Sequence, residues 1–123
     1  NKAKIMLCPG EHCYLDYPQQ KGDMPEKNWG MPVTTLEQTY RLDPAWGQDS
    51  VFVHDNLLGV SGTLWSECIN STERIYYQAF PRAAALAEAG WSVPERRSYK
   101  EFLKRVRPLT DDMQRRGIAV NVR

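Results

Sequence analysis

NLLGVSGTLWSE, Asn56 to Glu67, is the stretch on which the reading of the chain turns. Its first half is apolar and punctuated by Gly59 and Gly62. Its second half ends on a tryptophan and a glutamate two residues apart. A short apolar run between turn signals suits a strand buried on both faces, as in a parallel sheet. Glycines inside such a run mark a bend or a close backbone approach. Strand side chains alternate between faces, so extended backbone through this point aims Trp65 and Glu67 the same way. An aromatic face beside a carboxylate is one way to hold a sugar. The plainer alternative is a core tryptophan beside a solvated acid.

Upstream, KIMLCPG (Lys4–Gly10) is a second short apolar run, closed by Pro-Gly. EHCYLDYPQQ follows and carries Tyr14, Asp16 and Tyr17. KGDMPEKNWGMP is loop sequence, broken by Gly22, Pro25, Gly30 and Pro32. TTLEQTYRLDP offers Thr34 or Thr35 as N-cap, with Glu37 or Gln38 three residues on. Leu36, Tyr40 and Leu42 give it an apolar stripe. Downstream, INSTERIYYQAFPRAAALAEAGW has Ser71 or Thr72 as cap and a stripe at Ile75, Ala79, Ala83, Leu86 and Gly90. Pro81 is expected to kink or split it. SYKEFLKRVRPLTDDMQRRG pairs Ser98 with Glu101, has a stripe at Phe102, Leu103 and Val106, and stops at Gly117. Pro108 is expected to interrupt it.

These patterns predict strands at about 3–8 and 57–65, and helices at about 35–42, 72–90 and 98–116. Strands alternating with helices indicate an α/β fold built from βα units on a parallel sheet. Two such units are too few for a complete α/β domain, and NKAKIML already reads as the approach to a buried strand. The expectation is a piece of a longer protein.

The bulk numbers mainly exclude. Hydrophobic residues at 41% and charged residues at 25% are ordinary for a globular domain. A formal net charge of +1 gives no electrostatic case for nucleic acid or an anionic membrane. No apolar run approaches the roughly 18 residues of a membrane span. Three cysteines, Cys8, Cys13 and Cys68, are an odd count and suggest no disulfide framework. Cys8, His12 and Cys13 fit no zinc spacing, so no metal site and no cofactor is expected.

Three stretches together, KIMLCPGEHCYLDY, GVSGTLWSE and AFPRAAALAEAGWS, resemble the end of the catalytic domain of family 20 glycoside hydrolases, the β-N-acetylhexosaminidases. The resemblance implies the last two βα units of a (β/α)8 barrel, incomplete as given, with residues 1–123 as its C-terminal portion. Active sites in such barrels lie at the C-terminal ends of the strands. The implied parent removes terminal non-reducing N-acetylglucosamine or N-acetylgalactosamine. It retains configuration by using the substrate's own acetamido oxygen as nucleophile, an exception to the two-carboxylate scheme.

By the same resemblance Tyr14 is the catalytic candidate, its hydroxyl bonding the acetamido carbonyl. Asp16 would bind sugar hydroxyls around the 6-position, and Glu67 the 4-hydroxyl, with the 6-hydroxyl as an alternative. Trp65 would box the acetamido methyl and floor the ring, and Trp29 would edge the pocket. The family's catalytic Asp-Glu pair belongs to an earlier strand, and no Asp-Glu dipeptide occurs here. The chain would therefore supply the binding wall and lack the acid, with the remainder of its own catalytic domain as partner. The isolated chain is expected to be inactive and to self-associate. His12, His54 and Asp55 are not expected to act as acids or bases, Arg82 is read as structural, and the basic ERR and KRVR runs as solvated helix faces. Localisation is open, with an exported parent expected by analogy. The competing class is a small non-catalytic carbohydrate-binding or interaction module.

Overall fold

The computed structural model describes residues 3–23, 29–45 and 55–122. Pro25 and His54, which enter the sequence reading, lie outside them. The described residues form a small α/β unit. Strand β1 (Ile5–Leu7) pairs in parallel with β2 (Leu57–Val60). Ile5 stands opposite Leu57, but Met6 stands opposite Gly59, so β2 carries one extra residue. Gly59 sits there at φ 151°, a conformation that glycine adopts without steric cost.

The pairing does not end with the strands. After β1 the backbone leaves through one helical turn, α1 (Gly10–Cys13), and returns to the same partner, where Tyr14 bridges Thr63 in parallel. Ser61 N–H donates to the Leu7 carbonyl (2.8 Å), Thr63 N–H to Cys13 (3.0 Å) and Leu15 N–H back to Thr63 (2.8 Å). The predicted strand at 57–65 is thus regular only to Val60, with a bridge at Thr63.

Helix α2 (Leu36–Tyr40) is capped by Thr35, whose hydroxyl accepts from Gln38 N–H. Helix α3 (Thr72–Ala79) is capped by Ser71 and α4 (Arg82–Trp91) follows directly; the Phe80–Pro81 peptide between them is cis. Pro81 splits the long helical segment and resets its phase. The buried positions are therefore Gln78, Ala79, Arg82, Ala85, Leu86 and Ala89, while Ile75 and Gly90 of the expected stripe are exposed.

Helix α5 (Tyr99–Arg115), capped by Ser98, runs on through Pro108, where the sequence leads one to expect a break. Its buried face is Phe102, Val106, Thr110 and Met113, and Leu103 points outward. Gly117, at φ 73°, ends it: Gly117 N–H donates to Gln114 and Ile118 N–H to Met113, which satisfies the last carbonyls.

Two apolar clusters hold the unit together. Leu36, Tyr40, Ala85, Phe102 and Val106 join α2, α4 and α5. Cys13, Leu42, Leu86 and Ala89, with Cys8 and Val60 against them, join the strands to α4. At Gly62 the backbone lies close against α4: a Cβ there would lie 2.6 Å from Leu86 Cδ2 and 3.3 Å from Leu15 Cδ1. Among the described residues no helix is long and apolar enough to cross a membrane.

Candidate functional site

Extended backbone at Tyr14–Asp16 alternates its side chains. Leu15 is buried toward Gly62 and Leu86, so Tyr14 and Asp16 face the other way. The parallel bridge of Tyr14 to Thr63 brings that face level with the chain leading to Trp65 and Glu67. The result is one open cavity of about 380 Å³ lined by Tyr14, Asp16, Trp29, Trp65 and Glu67. All five residues singled out in the sequence meet there. Its place is where the strands end: at the other end of the pair, Lys4 Nζ donates to the Asp55 carbonyl (2.9 Å).

The rings form a chain around the cavity. Tyr14 meets Trp65 edge-on with centroids 6.1 Å apart, Tyr17 meets Tyr14 at 5.4 Å, and Trp29 meets Tyr17 at 5.7 Å. Trp65 and Trp29 stay 49% and 63% exposed, so two broad apolar faces stand open at the mouth. Asp16 differs: it is 2% exposed, and among the described residues its Oδ1 has no hydrogen-bond partner. Burial raises its carboxyl above the usual range and the nearby Glu67 charge adds to this. Amide N–H bonds from Asp16 itself and from Trp65, and the Arg82 charge, pull the other way.

The wall is braced from behind by α3 and α4. Gln78 Nε2 donates to the carbonyls of Asp16 (2.7 Å) and Tyr17 (3.2 Å). Arg82, fully buried, donates to the carbonyls of Leu15 (2.6 Å), Thr34 (2.9 Å) and Gln78 (2.8 Å). Its hydrogen-bond partners here are backbone oxygens, and burial lowers its pKa to about 10. The chain from Gln19 to Asp23 is tied to α3 as well. Tyr77 Oη donates to Asp23 Oδ1 (2.8 Å), Gln19 Nε2 donates to the Tyr77 carbonyl (2.6 Å), and Arg74 lies over the Tyr77 ring and bonds the Asp23 carbonyl.

Other candidates fall elsewhere. His12 Nδ1–H donates to the Gln38 carbonyl (2.5 Å), which docks α1 on α2. Among the described residues no group of three or more His, Cys, Asp or Glu is arranged to hold a metal ion.

Sequence reasoning assigned no role to Tyr17 or Gln78. Tyr17 had a weak signal, an aromatic three residues after Tyr14. Gln78 had another: a polar residue beside Ala79 on a helix otherwise read for its apolar stripe.

Residues 1–94 match the family model described as glycosyl hydrolase family 20, catalytic domain. A β-hexosaminidase of Akkermansia muciniphila is 39% identical over 103 residues, which is 83% of this chain and 20% of that protein. The crystal structure of a β-N-acetylhexosaminidase superposes with a TM-score of 0.80 at 36% identity, over 92% of this chain and 24% of the other. An exo β-N-acetylglucosaminidase of Vibrio harveyi, solved in complex with N-acetylglucosamine, gives 0.82 at 28% identity, over 96% of this chain and 19% of the other. The chain thus spans about a fifth to a quarter of the length of these relatives. The matched stretch contains both strands, α3 and α4, and all five residues of the cavity: the chain belongs to glycosyl hydrolase family 20.

Proposed function

We propose that this chain is the C-terminal part of a (β/α)8 barrel and forms the sugar-binding wall of a β-N-acetylhexosaminidase. One observation carries the reading: Tyr14, Asp16, Trp29, Trp65 and Glu67 line a single cavity where the parallel strands end. That is where barrel enzymes keep their chemistry.

In this reading a terminal N-acetylhexosamine stacks its ring on Trp65, which also walls the acetamido methyl away from water. The Tyr14 hydroxyl donates to the acetamido carbonyl oxygen and holds it in line with the anomeric carbon. That oxygen is the nucleophile, and the intermediate is an oxazolinium ion. Asp16 and Glu67 accept bonds from hydroxyls on the far side of the ring, and charged acceptors make those bonds strong. Trp29 closes the edge. The proton donor for the leaving group and its neighbouring aspartate come from an earlier strand of the same domain.

The open sides of the unit support the barrel reading. Each strand has one unpaired edge among the described residues, and Met6, Leu58 and Trp91 expose apolar surface around a cavity of about 390 Å³ between β2 and α4. The rest of the barrel would cover this face.

The test is hydrolysis of 4-nitrophenyl N-acetyl-β-glucosaminide. The full-length product should release nitrophenol and the isolated chain should not. Turnover that scales with the isolated chain would refute the division of labour. A full-length product that binds N-acetylglucosamine without turnover would leave a binding module instead.

A further inference from the structure

Tyr17 is not among the residues that line the cavity, yet its ring meets two that are. It meets Tyr14 at 5.4 Å between centroids with 67° between planes, and Trp29 at 5.7 Å and 70°. Tyr17 is 8% exposed within this chain alone, and whatever the rest of the domain adds only buries it further. Its backbone is held on both sides. Tyr17 N–H donates to the Tyr14 carbonyl (3.1 Å), and its own carbonyl accepts from Gln78 Nε2 (3.2 Å). Pro18 follows and narrows the backbone freedom of Tyr17, and the Pro18 carbonyl accepts from Thr34 N–H (2.9 Å). The ring therefore stands on a fixed base, whereas Tyr14 is half-buried and Trp29 is 63% exposed. Edge-on contact between rings is directional, so a fixed ring between two freer ones sets the angle of both.

Building on the sugar-site reading above, we infer that Tyr17 is a positioning residue for hydrolysis: from behind the rings that meet the sugar, it aims the Tyr14 phenol at the acetamido oxygen and keeps Trp29 at the edge of the site. An error in the aim of Tyr14 slows the attack of that oxygen, because misplacement by about 1 Å costs up to about 10²-fold in rate. A displaced Trp29 weakens substrate binding and leaves the attack alone. The two contacts therefore separate into kcat and KM.

The experiment is steady-state hydrolysis of 4-nitrophenyl N-acetyl-β-glucosaminide by the full-length protein, with urea midpoints read beside the kinetics. Tyr17→Leu should lower kcat about tenfold, the upper range of what one edge-on pair is worth, and raise KM about threefold. On a Tyr14→Phe background the same change should lower kcat by less than about twofold, because the hydroxyl it aimed is gone. On a Trp29→Ala background its effect on KM should vanish. Tyr17→Phe, which restores the ring without the hydroxyl, should recover kcat to within about twofold of wild type. If leucine prevents folding, Tyr17→Met carries the same test, as a flexible side chain without the ring. A tenfold loss that persists unchanged on both backgrounds marks a merely structural residue and overturns the inference. Unchanged kcat and KM in Tyr17→Leu, with the wild type active, overturn it alone, as does a Tyr17→Phe variant as slow as Tyr17→Leu. Absence of turnover in the full-length wild type overturns the sugar-site reading and this inference with it.

Discussion

Arg82 and Leu15 are 67 positions apart in sequence, and the buried guanidinium of one donates to the carbonyl of the other at 2.6 Å. That bond falls between Tyr14 and Asp16, so a helix residue that never reaches the cavity fixes how two cavity residues stand. Arg82→Met should remove about 3 kcal/mol or more of stability, because three buried carbonyls lose donors. Arg82→Lys should recover only part, since one ammonium cannot reproduce the planar fork. Urea midpoints of the two variants check this; equal midpoints for wild type and Arg82→Met would refute the brace.

Tyr14→Phe keeps the ring that meets Trp65 and Tyr17 and removes only the hydroxyl. If the hydroxyl positions the acetamido oxygen as proposed, kcat of the full-length protein should fall by about 10²–10³, the usual cost of one such donor. Stability should barely change. A kcat within about a factor of two of wild type would remove Tyr14 from the mechanism.

Gly62→Ala places a methyl 2.6 Å from Leu86 Cδ2, inside the cluster of Cys13, Leu42 and Ala89. Leu86 must shift to accept it, so the variant should lose about 1–3 kcal/mol. A second change, Leu86→Ala, should make room and bring the double mutant above the additive expectation in thermal melting.

Alkaline pH should unfold the chain through Cys13. Burial is the main cause that raises its thiol from 9.0 to about 12, with Cys8 and Glu11 adding to it. The folded state thus keeps a proton that the unfolded chain loses near pH 9. The stability this represents is complete below pH 9 and drains away as pH approaches 12, by about 1.4 kcal/mol per unit for one group. Tyr40, buried with its hydroxyl bonded to Glu88, shifts in the same direction. Denaturant midpoints from about pH 8 to about 10.5 should fall, and Cys13→Ala should flatten the slope. An unchanged slope would place the alkaline sensitivity elsewhere.

The isolated chain should self-associate through the face around Met6, Leu58 and Trp91. Sedimentation velocity should show concentration-dependent growth that Leu58→Asp and Trp91→Lys reduce. A monodisperse monomer at high concentration would count against an uncovered barrel face.

The sequence was legible wherever local chemistry decides. Thr35, Ser71 and Ser98 cap the helices they precede, and Gly117 ends α5. The period-two spacing of Tyr14 with Asp16 and of Trp65 with Glu67 is what lets four side chains share a cavity. What stayed illegible depends on distant partners. Ile75 reads as core by helical period, yet the break at Pro81 rotates it outward and puts Gln78 inside. Pro108 reads as a stop, yet α5 continues past it. No spacing announces that Arg82 and Gln78 would grip the backbone of the Tyr14–Tyr17 segment, because the residues they hold lie more than sixty positions away.

The helical turn from Gly10 to Cys13 leaves the sheet and rejoins it against the same partner strand and its extension. Both feet of that arch stand on one foundation, at Leu7 and at Tyr14. The span between them is anchored as well, by Cys13 in the core and by His12 on the Gln38 carbonyl. The two footings, rather than the length of chain between them, give Tyr14 and Asp16 their address.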